Sequence, residues 1–299
     1  MTEKEAVRVV EVIRKTSRAQ QGLLQRKVTS DVVLAKHLLS LKGTLHQTAN
    51  YDGWNAVNPL TRKTQVAALP VLKVGDVELG TDFTFAHPGF LVDEIQGIVG
   101  GTCTVFQKMN TQGDMLRNLT NVKDVEGNRA AGTYFPAVGP DGTRDSVIST
   151  VLKGETYSGR DLVLNEWYVT AYSPIYDDSG TLVGMIQTGV RQLETSDLTD
   201  SILNTKLGST GVSWVTDAKG TILLHPEKEL VGRSILTDLG PERFQKIVDQ
   251  RSSQKVQTVR YETNGTPVLL AATYFPEWDW VICSAVPIQE LSRGAARVS

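Results

Sequence analysis

Apolar residues recur at Ala6, Val10, Ile13, Leu24, Val28, Val32, Ala35 and Leu38/Leu39, in a stretch that holds no proline and stops before Gly43. That spacing follows the helical repeat and predicts one long helix over residues 3–42, about 60 Å from end to end. The stripe thins at residues 16–21, where polar side chains dominate. The first third of the helix is therefore expected to project from the globular body or to pair with a partner helix. Residues 44–92 have no clear period, apart from a short hairpin pattern at 54–72 and turn signals at Asp52-Gly53, Asn58-Pro59 and Gly75-Asp76. Beyond them the pattern orders itself: a short apolar helix at 92–100, then strands at 102–109 and 114–122. In the second strand Met115, Arg117 and Leu119 alternate with Leu116, Asn118 and Thr120. A helix at 146–153 ends at Gly154, and strands at 157–164, 167–175 and 182–190 complete a sheet of about five antiparallel strands.

After a connecting helix at 195–207 the pattern restarts in shorter form. Strands fall at 211–217 and 221–225, a helix at 241–250, and strands at 254–262, 266–275 and 278–287, with the hairpin signal Asn264-Gly265 between two of them. The two halves also end alike. EWYVTAYSPIYDDSGTLVGMIQTGV (166–190) and PVLLAATYFPEWDWVICSAVPI (267–288) each carry an apolar strand into Tyr-x-Pro, a short turn and a second apolar strand. The fold class expected is α+β: a long N-terminal helix (1–43), a first module (44–194), a connecting helix (195–207) and a second module (208–290).

A length of 299 residues suits two such modules. The formal net charge of −2, with both signs spread along the chain, offers no basic stripe for a nucleic-acid partner. Cys103 and Cys283, one per module, read as unpaired buried residues. No uncharged run reaches the ~18 residues of a membrane span, and the start of the chain lacks a signal-peptide apolar core. The chain as given is expected to be soluble, any membrane anchors lying outside it. His37, His46, His87 and His225 stand apart from one another and from any metal-ligand spacing. No Cys-x-x-Cys-His and no phosphate loop occur. Neither a metal, nor a cofactor, nor an enzymatic activity is expected.

Several motifs fall in order along the chain: GGTCTVFQKMN (100–110), GDMLRNLTNV (113–122), GNRAAGTYFPA (127–137), VLKGETYSGR (151–160) and NEWYVTAYSPI (165–175). They resemble the Cache_3/Cache_2 fusion, a double Cache sensor. GSTGVSWVTDAKGTILLHP (208–226) resembles the opening of a general Cache module. The resemblance implies two PAS-like modules, a membrane-distal one with a pocket and a smaller membrane-proximal one. It also implies the periplasmic, extracytoplasmic part of a membrane-anchored bacterial chemoreceptor, or alternatively the input domain of a sensor histidine kinase. A homodimer through the N-terminal helix is expected, and a vestigial pocket read through a partner binding protein stays open.

Within that frame the first module should hold a short carboxylate such as acetate, propionate or lactate. Arg129 and Tyr134 lie in the insertion that covers such a pocket. A buried arginine grips a carboxylate with two parallel hydrogen bonds. Arg117 and Arg160 are the other candidate cations. On the strand at 167–175, Tyr168, Thr170 and Tyr172 share one face and Trp167, Val169 and Ala171 the other, and the tyrosine face is expected to point at the pocket. Trp167 is open to two placements, at the pocket mouth or against the long helix. The second module, with fewer convergent polar groups, is expected to relay movement without tight binding.

Overall fold

In the computed structural model residues 2–59, 61–80, 83–86, 91–164, 166–194 and 196–293 are described. His87 and Thr195, the expected start of the connecting helix, lie outside the described residues. The chain opens with helix α1 (Glu3–Lys42), followed by β1 (Leu45–Val57), β2 (Thr64–Val74) and β3 (Val77–Glu78). Next come α2 (Val92–Val99), β4 (Thr102–Lys108), β5 (Met115–Thr120), β6 (Tyr134–Phe135) and α3 (Ser146–Leu152). The first module closes with β7 (Tyr157–Val163), β8 (Glu166–Tyr176) and β9 (Leu182–Arg191). The second holds α4 (Ser196–Asn204), β10 (Val212–Asp217), β11 (Ile222–Leu224), α5 (Leu236–Leu239), α6 (Pro241–Asp249), β12 (Gln257–Thr263), β13 (Thr266–Phe275), β14 (Trp280–Pro287) and α7 (Ile288–Arg293). The fold is α+β.

Two compact units result: residues 24–192, and residues 1–23 together with 193–299. The larger unit carries a six-stranded sheet of order β6-β5-β4-β9-β8-β7 and a separate three-stranded sheet, β1-β2-β3. The smaller carries a five-stranded sheet, β11-β10-β14-β13-β12. With β6 set aside, the two orders superimpose strand for strand, so that β8-β9 corresponds to β13-β14. The repeated Tyr-x-Pro hairpins therefore occupy equivalent places in two copies of one topology. The additional sheet comes from residues 45–78, where the sequence shows only part of a hairpin.

Helix α1 buries Ala6, Val10, Ile13, Ser17, Gln21, Leu24, Val28, Val32, Ala35 and Leu39. These steps of three and four repeat every eleven residues, or 3.67 per turn, close enough to the helical period to keep one face inward along the whole helix. The polar gap read from the sequence is thus no gap in packing. Gln21 accepts a hydrogen bond from the buried Trp278 indole. Arg14 donates to Gln254 Oε1 (3.0 Å), and Arg18 bonds Glu277 Oε1 (2.6 Å). The first third of α1 does not project from the body. It packs on its own unit, whose segment 254–278 supplies polar acceptors and donors where the stripe turns polar.

In the larger unit α1 lies on one face of the sheet. Thr188 donates to Val28 O (3.0 Å), and Thr29 donates to Ser158 Oγ (2.9 Å). Thr188 and Ser158 both stand opposite Ala171 in register. The Ala171 row therefore faces α1 and the Tyr172 row faces away from it. Cys103 and Cys283 are both free and buried.

Gln21 and Trp278 generate a stability prediction. Gln21→Leu fills similar space but leaves the indole N–H without its acceptor, so urea unfolding should show a loss of roughly 1–3 kcal/mol. An unchanged midpoint and slope would mean the indole needs no acceptor there.

Candidate functional site

The face of the large sheet opposite α1 bounds a cavity of about 470 Å³, lined by residues of β5, β6, β7 and β8 and by the loop 136–145. Register explains who meets there. Tyr157 stands opposite Tyr172, and Asp161 opposite Tyr168, so Tyr157, Asp161, Tyr168 and Tyr172 share that face. The Tyr172 ring packs at 6.2 Å from Phe106, 5.9 Å from Phe135 and 6.3 Å from Tyr157. This aromatic floor excludes water and leaves polar tips at its edge.

Arg117 reaches the same face through an irregularity that simple alternation misses. Thr104 pairs with Thr120 and Val105 with Leu119, but Phe106 pairs with Arg117, so Asn118 is the extra residue of a β-bulge. Arg117 consequently shares a face with Thr120 and Phe106, whereas strict alternation groups it with Leu119. A bulge of this kind re-aims a side chain. The guanidinium is buried, sits 5.2 Å over the Phe106 ring and donates from Nη1 to Thr133 Oγ1 at 2.6 Å. Its Nε is buried and has no hydrogen-bond partner among the described residues. Burial pulls its pKa down from the ordinary value, with Tyr172 and Asp161 opposing the shift.

Asp161 supplies the opposite charge. Its Oδ2 accepts from the Tyr172 hydroxyl at 2.5 Å and its Oδ1 from Leu162 N at 2.8 Å. Burial raises its pKa, and these hydrogen bonds and Arg117 only partly offset the rise. Burial also raises Tyr172, helped by Asp161, so the phenol keeps its proton. Asp161 and Arg117 line one cavity with no ion pair between them among the described residues. Tyr134, held at its hydroxyl by Asn58 Nδ2 (3.3 Å), lines the cavity too. The loop 136–145 is fixed by Asp145, which caps α3 through Val147 N (2.7 Å) and Ile148 N (3.1 Å), and by Arg144, which donates to Gln112 O (3.0 Å). Burial raises the Asp145 pKa against those two caps. Two unlike charges, hydroxyls and an aromatic floor suit a small polar organic molecule.

Of the residues singled out from sequence, Arg117, Tyr134 and Tyr172 come together here. Arg129 does not line this cavity. It is buried elsewhere, bidentate on Asp93 at 3.0 and 2.6 Å, donating to Thr120 O (2.9 Å) and Thr84 O (2.7 Å), with Phe85 stacked at 4.2 Å. Its role there is to tie residues 83–86 to α2. Tyr168 shares the cavity face but accepts from Arg191 Nε (2.8 Å) beyond the lining. Arg160 and Trp167 sit on the opposite face by register, the guanidinium 3.5 Å from the indole centroid and bonded to Gln192 Oε1 (3.1 Å). Trp167 is half exposed on that face. Asp161 escaped notice, although a carboxylate at mid-strand, two and four residues from Gly159 and Tyr157, was a legible sign of a polar site.

The sequence matches the Cache 3/Cache 2 fusion domain over residues 1–299. The chain belongs to that family. Cache domains are sensory domains. No curated protein sequence matches this one. Among solved structures it is similar to the ligand-binding domain of Campylobacter jejuni chemoreceptor Tlp3 in complex with 4-methylisoleucine, at 14% identity and TM-score 0.48, covering 97% of this chain and 92% of that one. It is also similar to the periplasmic sensory domain of Campylobacter jejuni chemoreceptor Tlp1, at 14% identity and TM-score 0.46, covering 97% and 98%. A third similarity, to an extracellular domain described as that of histidine kinase mmHK1S-Z2, has 17% identity and TM-score 0.40, covering 68% and 81%. At these identities and scores none of the three says what this Cache chain binds.

The two buried arginines should separate in experiment. Arg129→Ala leaves Asp93 without its partner and should cost about 3 kcal/mol of stability, read by chemical unfolding. Arg117→Met should read out in ligand affinity instead. The reverse pattern would place the working cation at Arg129.

Proposed function

We propose that this Cache chain is the extracytoplasmic input domain of a bacterial membrane receptor, and that the larger unit senses a small organic carboxylate in the cavity bounded by Arg117 and Asp161. The observation that carries the reading is the Arg117 Nε, without a partner among the described residues, beside a carboxylate that forms no ion pair among them. Arg117 takes the ligand carboxylate. Asp161 takes a second polar group, an ammonium in the reading that uses both charges, so an amino-acid-like zwitterion is the first choice. Ligand contacts favour one arrangement of the cavity and shift an existing equilibrium, which is the event signalled. The role is recognition without turnover. A chemoreceptor is the output favoured by the family, and a sensor kinase would use the same cavity. No helix among the described residues is long and apolar enough to cross a membrane, so anchoring would come from segments outside them.

A second reading rests on the raised pKa of Asp161. Protonated, it donates to a simple monocarboxylate such as acetate, propionate or lactate. Acetate has four heavy atoms, so a ceiling of about −1.5 kcal/mol per atom limits it to roughly −6 kcal/mol, a dissociation constant on the order of tens of micromolar.

Calorimetry with a panel of amino acids and monocarboxylates should give one site in this unit. Arg117→Met should weaken it by about 10- to 150-fold, the worth of a charge-assisted hydrogen bond. The pH dependence separates the readings. An ammonium needs the Asp161 anion, so affinity should rise as pH climbs through the raised pKa of Asp161. A monocarboxylate needs the protonated acid, so affinity should fall over the same window. If no carboxylate shifts the melting temperature and Arg117→Met changes nothing, direct sensing of a small anion fails, and a vestigial pocket read through a partner binding protein takes its place.

A homodimer through α1 is part of the same proposal. Val12, Leu23, Val33 and Leu41 are exposed along the helix, away from the buried stripe. Sedimentation at high protein concentration should show self-association that Leu23→Glu with Val33→Glu abolishes. Equal behaviour of the variant and the parent would remove α1 from the interface.

A further inference from the structure

The smaller unit holds a cavity of its own, about 640 Å³, against about 470 Å³ in the larger one. It is bounded by β10, β12 and β14 and by the connection from His225 to α5. Ile222, Ile235 and Val268 contribute apolar wall. Two aromatic N–H groups break that wall. Trp214 is 4% exposed, and its indole Nε1 has no hydrogen-bond acceptor among the described residues. An indole N–H can only donate, so nothing but an acceptor satisfies it. His225 is 8% exposed, with its ring centroid 5.7 Å from that of Trp214. Its Nδ1 accepts from Glu227 N at 3.0 Å, which leaves the proton of the neutral ring on Nε2. Burial lowers the His225 pKa, with Glu227 opposing, and so favours that neutral ring.

The charged groups around the cavity do not answer this need. Asp238 accepts from Thr263 Oγ1 at 2.7 Å, and Glu227 and Arg233 are exposed. Tyr261 keeps its phenolic proton because burial raises its pKa. The cavity thus presents one buried donor beside the apolar patch of Ile222, Ile235 and Val268, in a lining that is otherwise partly polar, and this complements a molecule with an aliphatic body and an acceptor oxygen. We propose that the smaller unit is a second binding site, taking a small aliphatic carbonyl or carboxyl compound whose oxygen accepts from the Trp214 indole. It is independent of the site at Arg117 and Asp161, and a chain with both reads two inputs.

The test observes the indole directly. The whole chain, labelled with ¹⁵N-tryptophan, is titrated with pentanoate, 2-pentanone and, as the donor-only control, pentylammonium. Trp214→Phe assigns the Trp214 signal. Pentanoate or 2-pentanone should move that signal saturably, and pentylammonium should not. Trp214→Phe keeps an aromatic side chain and removes the donor. It should weaken the active probe at this site at least tenfold, and His225→Phe should also weaken it. The proposal is overturned if neither acceptor-bearing probe moves the signal, if pentylammonium moves it equally, or if the probe binds Trp214→Phe as it binds the parent. Should Trp214→Phe fail to fold, the assignment passes to selective labelling of the parent, and the contrast between probes with the His225→Phe titration decides. Because the reporter lies in the smaller unit, failure here leaves the reading of the larger unit's cavity standing.

Discussion

A charge taken out of water must find a partner, and this constraint sets the two buried arginines of the larger unit apart. Arg117 and Arg129 are both buried and lie twelve residues apart. Arg129 is answered by its own chain: a bidentate carboxylate, two backbone carbonyls and a stacked ring. Arg117 has a threonine hydroxyl, the face of a phenylalanine and an Nε with no partner among the described residues. One arginine is a completed piece of architecture. The other is left incomplete at the wall of a cavity, with an unpaired carboxylate across it. Burial alone, or a position in a covering insertion, would not have told them apart.

The architecture around that cavity was legible because it repeats. The Tyr-x-Pro hairpins at 166–190 and 267–288 pointed to two copies of one module, and the shared strand order bears this out. The turns Asp177-Asp-Ser-Gly180-Thr and Asp217-Ala-Lys-Gly220-Thr are a contrary lesson. Both use the aspartate carboxylate to accept from the threonine N–H, at 2.9 and 2.8 Å. Yet one joins β8 to β9 and the other β10 to β11, which are not equivalent hairpins. Their likeness is local turn chemistry. Repeats of packing carry topology, and repeats of turn residues need not.

What escaped the sequence has definite physical causes. Polar residues at 16–21 looked like a break in the α1 stripe because hydrophobicity stood in for burial. Ser17 and Gln21 are buried all the same: Gln21 meets the Trp278 indole, and the Ser17 hydroxyl is buried without a partner among the described residues. Alternation groups Arg117 with Leu119 because it assumes an unbroken ladder, and one extra residue at Asn118 reverses the parity from there on. Nothing in MLRNLT marks that residue as extra. It is set by how β5 pairs with β4, which is a property of two strands together. Tyr172 was found because β8 keeps its alternation, and Asp161 was overlooked because strand β7 was read for its boundaries more than for its faces.

These features meet in the energetics of the ligand-free cavity. The pKa of Asp161 is raised by burial, so its anion is a net cost to the folded state at neutral pH, and stability falls as pH rises from the ordinary carboxylate range through that raised value. Arg117 bears a desolvation cost of the same kind. A core selected only for stability would pair the two or replace both by apolar side chains. Here the bulge holds the guanidinium on the cavity face, and Tyr172 holds the carboxylate in place without neutralising it. On the proposed reading, these charges hold a difference in free energy that a molecule reaching both would relieve. That difference is what a sensor requires, because a ligand shifts an equilibrium by no more than its differential affinity for the two states. On the proposed reading the cavity carries desolvation costs where it would respond, whereas Arg129 and Asp93 form a completed pair.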